Sequence, residues 1–154
     1  MFAIIFLLLV SCHALFMEPL IGLADNGDFY RVIISNDLIH EIEWTEEDFF
    51  GYFTTTYDRL QHYNESGSET YTSQNFIIDM AMILDNMFNR NTKFDIRFLA
   101  LICLLVLTIG IYWIVEIVQG MTDNKKIQYF LAFITVIIFG DIGYISYFNS
   151  FFGE

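Results

Sequence analysis

Three apolar runs set the terms on which this chain can fold. Phe2 to Met17 is interrupted only by Ser11, Cys12 and His13, Phe98 to Val115 carries no charge, and Tyr129 to Phe148 carries a single one, Asp141. About 20 consecutive apolar residues cross the hydrocarbon of a bilayer as one helix, and a helix satisfies its backbone polar groups internally. The first run is a little short of that length unless Leu20 to Leu23 extends it past Glu18-Pro19. At 55% hydrophobic and 18% aromatic residues, with a mean hydropathy of +0.48, the 154-residue chain is too apolar for an ordinary small soluble domain. The expected fold is all-α and integral to the membrane. It has three transmembrane helices and a long external loop holding short amphipathic or interfacial helices.

The expected boundaries are a first transmembrane helix at 1–23, an external acidic loop at 24–96, and a second helix at 97–119. A cytoplasmic link at 120–126, a third helix at 127–148 and an external tail at 149–154 complete the chain. Orientation follows from charge. Short loops bearing Lys or Arg stay cytoplasmic, and the 120–126 link carries Lys125 and Lys126. Of the 19 acidic residues, 15 lie between Glu18 and Asp95, against four basic ones. The expected location is therefore the plasma membrane, multi-pass, with a cytoplasmic N-terminus and an external loop. The net charge of −12 repels phosphate backbones, so nucleic acid is not an expected partner. Cys12 and Cys103 both sit in apolar runs and give neither a disulfide framework nor a zinc spacing.

Cys12 and Ala14 also mark possible processing sites, lipoprotein-like or signal-peptidase-like. Both need a positively charged n-region, and no Lys or Arg precedes Arg31, so the first run reads as an uncleaved helix. The missing basic flank hints at a natural start further upstream.

Within the polar part, Phe29 to Ile34 reads as either a short strand or the start of a helix. Thr45 to Asp48 has the form of a capping box, and aromatics from Phe49 to Tyr57 follow it. Residues 45–62 thus read as a helix near the membrane surface or, equally, as an aromatic mini-core within the loop. Asn64-Glu-Ser66 is a glycosylation sequon in a flexible connector. Ser73 looks like the N-cap of a helix to about Asn89, whose stripe of Phe76, Met80, Leu84 and Met87 reads as packing.

Two features carry candidate chemistry. Gly22-Leu-Ala-Asp-Asn-Gly-Asp-Phe-Tyr-Arg31 follows the first run, and its Asn26-Gly27 turn can aim Asp25 and Asp28 at one point above the bilayer. From spacing alone the more frequent reading of such a sequence is a solvated turn capping the next helix. Asp141 is the second feature. A carboxylate in hydrocarbon costs a few kcal/mol and should face protein, water or a cation, unless its helix simply ends near Ile138. In the expected topology Asp25, Asp28, Asp141 and Glu154 converge on one membrane face.

These residues resemble a family. A first span, an Asp-bearing turn outside it, a long external loop and acids after the third span are similar to GT-C glycosyltransferases, membrane enzymes that use polyprenyl-phosphate-linked sugars. Gly22 to Arg31, Phe94-Asp-Ile-Arg-Phe-Leu99 and Tyr147-Phe-Asn-Ser-Phe-Phe-Gly-Glu154 look like the N-terminal portion of bacterial hexosyltransferases of cell-surface glycan synthesis. Such enzymes have more than three spans, so the resemblance implies a fragment or truncated frame, inactive alone and completed by further transmembrane helices. It implies Asp25 or Asp28 as general base, and Asp141 and Glu154 as the metal or phosphate site, holding a divalent metal (Mg or Mn) that neutralises the departing lipid phosphate. Arg31 is a weaker candidate for that phosphate and more readily a partner of a neighbouring acid. The implied partners are the lipid bilayer and a polyprenyl-phosphate sugar donor. The alternative reading is a small three-span structural or accessory subunit that binds a partner through its acidic loop.

Overall fold

The computed structural model describes residues 2–23, 29–40, 54–60, 72–89 and 92–151. Its elements are α1 (Phe2–Phe16), α2 (Phe29–Ser35), β1 (Leu38–Ile39), β2 (Thr56–Arg59), α3 (Ser73–Phe88), β3 (Lys93–Asp95), α4 (Arg97–Gly120), α5 (Lys125–Phe139) and α6 (Ile142–Ile145). A 3-10 turn, Ser146–Asn149, follows α6. Helix dominates, as the apolar runs require, and the domain divides into a helix bundle and an outer layer.

In the bundle, α1, α4 and α5 pack around Leu7, Leu15, Leu104, Ile111, Val115, Ala132 and Val136. Helices α1 and α4 run antiparallel. Cys12 and Phe16 share a cleft with Phe98 and Leu101, whereas Ile4 and Ile5 share another with Val115, Glu116 and Gln119. With 24 residues, α4 is about 36 Å long and is the one described helix long and apolar enough to cross a membrane by itself. The third apolar run is not one helix. It breaks at Gly140-Asp141, and the two parts, Lys125–Phe139 and Ile142–Asn149, meet at a 47° bend. The cause lies on both sides of the break. A Cβ on Gly140 would stand 2.7 Å from Leu7 Cδ1 and 2.6 Å from the Val136 carbonyl oxygen. Asp141 then starts the next helix by accepting a 2.8 Å hydrogen bond from the Gly143 N–H. Helix α1 ends at Phe16, short of the expected residue 23.

The outer layer corrects the all-α expectation. Strands β1, β2 and β3 form an antiparallel sheet in that order, with Leu38 opposite Arg59 and Tyr57 opposite Phe94. The surface helix expected over 45–62 is not formed at its described residues, 54–60, which hold the central strand instead. The capping box at 45–48 and the sequon at Asn64 lie outside the described residues. Thr54-Thr-Thr-Tyr57 favours an extended backbone, and Tyr57 earns its place by burial. Its ring meets Phe151 edge-on at 4.8 Å, within a core that also takes Phe29, Ile33, Leu38, Ile78, Phe94, Ile96 and Leu99. The mini-core alternative therefore describes Tyr57. Of the two readings for Phe29 to Ile34, the helix is the one formed.

Helix α3 begins one residue earlier than expected. Thr72, not Ser73, is its N-cap residue, and its N–H and Oγ1 donate to Asn75 Oδ1 at 2.8 and 2.7 Å. Its packed face is Asn75, Ile78, Ala81 and Asp85, whereas Phe76, Met80 and Met87 are exposed. The stripe expected to pack inward points the other way, because a second apolar face was hidden among Asn75 and Asp85.

Candidate functional site

Asp25, Asp28 and Glu154 lie outside the described residues. Arg31 is exposed on α2. Asp141 is also exposed, and one of its oxygens is committed to the Gly143 N–H. Among the described residues no group of three or more His, Cys, Asp or Glu stands close enough to hold a metal ion.

What the structure does bring together is the segment leading to Asp25, residues 21–23, and the end of the third apolar run. Asn149 is fully buried, and its Nδ2 donates to the Ile21 carbonyl at 2.9 Å and to the Leu15 carbonyl at 3.2 Å. Ser150 Oγ accepts from the Leu23 N–H at 2.8 Å and donates to the Ser146 carbonyl at 3.2 Å. Gln74 Nε2 donates to the Ser150 carbonyl at 3.3 Å, which ties α3 to the same point. These bonds satisfy backbone groups that leave α1 with no helical partner, a necessity wherever water is excluded. They also fix Leu23, two residues before Asp25. Sequence reasoning passed over Asn149 and Ser150 as tail residues. The available signal was two polar residues set between the aromatic pairs Tyr147-Phe148 and Phe151-Phe152.

A second buried polar group holds α3 to the sheet. Arg59 pairs with Asp85, which is wholly buried, and also donates to Asn86 Oδ1. Asn89 Nδ2 adds a 3.0 Å bond to Asp85 Oδ1, and the Arg59 guanidinium lies 6.0 Å from the Phe94 ring centroid. Ser35 Oγ accepts from Asn75 Nδ2 at 2.7 Å, joining α2 to α3.

Where α1 meets α4, a cleft of about 510 Å³ is lined by Cys12, Phe16, Phe98 and Leu101, with Asn89, Asp95 and Arg97 also lining it. Arg97 is held by Asp95, whose Oδ1 accepts from the Arg97 N–H and Nε, each at 2.9 Å. Mostly apolar walls with a few polar groups suit an amphiphile better than a free sugar.

A long apolar helix, a short apolar helix packed antiparallel to it and a bent pair beside them define a membrane domain with a small mixed outer layer. The chain belongs to the family described as the YfdI N-terminal transmembrane domain, whose profile matches residues 1–154. No curated protein and no solved structure matches it. The protein is accordingly a membrane protein with a transmembrane helix, in contact with the lipid bilayer.

Proposed function

We propose that this domain is the N-terminal part of a GT-C-type membrane glycosyltransferase. It moves a sugar from a polyprenyl-phosphate donor to a cell-surface glycan acceptor on the exported face. In this reading α1, α4 and the bent α5–α6 pair all cross the membrane, the N-terminus is cytoplasmic, and the outer layer is external. Asp25 or Asp28 takes the proton from the acceptor hydroxyl as that oxygen bonds to the anomeric carbon, and the bond to the lipid phosphate breaks on the opposite side. Arg31, on the neighbouring helix α2, is the residue assigned to the departing phosphate. For a divalent metal the described donors fit poorly, since Asp141 is a lone exposed carboxylate already capping a helix.

The observation that supports the reading best is the tie between Leu23 and Ser150, with Asn149 bonded to Ile21. An acidic segment used for chemistry needs a rigid base, and Leu23, two residues before Asp25, is fastened to the end of the third apolar run. The test is sugar transfer by the full-length gene product in isolated membranes, using a labelled polyprenyl-phosphate sugar. Replacing the general base, Asp25→Asn or Asp28→Asn, is expected to cut transfer by about 10²-fold or more. Asp141→Asn is a useful companion because Asn still caps a helix, so any loss reflects charge rather than folding. Unchanged transfer by all three variants removes the proposed chemistry and leaves the accessory-subunit reading.

A further inference from the structure

Helix α3 has more apolar surface than its place in the outer layer explains. Its inner face, Ile78 and Ala81 with Asn75 and Asp85, is buried. On the opposite face Phe76, Met80, Ile83 and Met87 follow at four, three and four residues, and they are 45 to 71% exposed. Ile77, Leu84 and Phe88 occupy one flank between these two faces, as helical spacing of about 100° per residue places them. Only the remaining flank, Asp79 and Asn86, is polar. The helix carries no Lys or Arg.

Two further observations fix its depth and roll. The inner core joins Ile77, Ile78, Ala81 and Met82 to Phe98, Leu99, Ile102 and Cys103, and Phe88 stacks on Phe98 at 6.2 Å. Helix α3 thus leans on the first two turns of the membrane-crossing helix. Counting about 20 residues back from Glu116 puts the hydrocarbon boundary near Arg97, so those turns occupy roughly the outermost 9 Å of the apolar layer. The roll is set by Asn86, which accepts from Arg59 of the sheet and so turns the polar flank toward the outer layer. The Phe88 flank then faces into the membrane. Helix α4 carries exposed apolar side chains as well, among them Leu105, Val106 and Ile109.

We propose that α3 is a half-sunk interfacial helix whose stripe of Phe76, Met80, Ile83 and Met87 contacts phospholipid acyl chains, anchoring the outer layer sideways to the bilayer. The proposal rests on the membrane character of the family and is independent of any glycosyl transfer. With its polar flank narrow and its stripe uncharged, the helix offers an aqueous protein partner no electrostatic complement, whereas acyl chains need none.

The test places single cysteines at Ile83, Met87 or Asp79, in a background carrying Cys12→Ala and Cys103→Ala, in phosphatidylcholine–phosphatidylglycerol nanodiscs. Far-UV circular dichroism checks that helix content is kept. Labelling by a water-soluble maleimide is expected to be about tenfold slower at Ile83→Cys and Met87→Cys than at Asp79→Cys. A polarity-sensitive fluorophore at position 83 is expected to be quenched by lipids carrying a nitroxide high on the acyl chain. Equal labelling at 79 and 83 overturns the proposal, and so does slow labelling without nitroxide quenching, which reports a protein neighbour. Should the cysteine-free background not fold, benzoylphenylalanine at position 83 of the otherwise native chain decides it. A lipid adduct by mass supports the proposal, and a protein adduct or none refutes it.

Discussion

The bundle and the outer layer are held together by different means. In the bundle the buried side chains are almost all apolar, and Thr108 and Thr135 bond to the carbonyls of Leu104 and Leu131 one turn earlier in their own helices. In the outer layer Asp85, Asn75 and Ser35, and at its junction with the bundle Asn149, are buried and reach other elements. Water explains the contrast. A helix in lipid already has its backbone satisfied and gains mainly by close packing, so polar side chains can serve themselves. The short strands and helices of the outer layer have loose ends, and these need specific partners from elsewhere in the chain.

The sharpest way to break that comparison is Asp85→Ala. It leaves the Arg59 guanidinium without its carboxylate, and the expected loss is about 3–5 kcal/mol in unfolding followed by circular dichroism. A loss below that of an ordinary surface change would mean the outer layer does not depend on its buried charge pair. Next come two matched truncations. Ile78→Ala in the outer layer is expected to cost about 2–5 kcal/mol, combining lost transfer energy with a cavity. Ile111→Ala in the bundle is expected to cost less, because an unpacked helix still leaves that side chain in lipid. Equal values would place the two regions in the same solvent. Asn149→Ala strips partners from the Leu15 and Ile21 carbonyls, for an expected loss of about 1–3 kcal/mol. Faster proteolysis between residues 16 and 28 should accompany it. The smallest effect is expected of Thr108→Val, within about 0.5 kcal/mol, since its hydroxyl serves only its own helix. A large loss there would reveal a polar contact between bundle helices.

This division also decides what could be read without coordinates. Leu99 to Val115 has one physical solution, so the membrane character and the position of α4 were legible. A helix end near Ile138 with Asp141 in water was legible as one of two readings, and α5 does end at Phe139 with Asp141 exposed. What was not legible is the close approach of Leu7, more than 130 positions away, to Gly140. The sheet was hidden for a related reason. Its strands are two to four residues long, and Tyr57 and Phe94 are sorted from neighbouring aromatics only by the core they enter. The candidate site was legible as a list of acids but not as a place. Its supports, Asn149 and Ser150, look like any polar pair until their partners at Leu15, Ile21 and Leu23 are known.

The fastening of Leu23 to Ser150 has a consequence for how the domain is made. Synthesis runs from the N-terminal side, so the segment leaving α1 waits unfastened while well over a hundred further residues are added. Only when the third apolar run has been made does the segment after α1 acquire its anchor. Assembly therefore closes like a drawstring, and a chain halted before Ser150 would keep its helices yet leave the mouth of the domain slack.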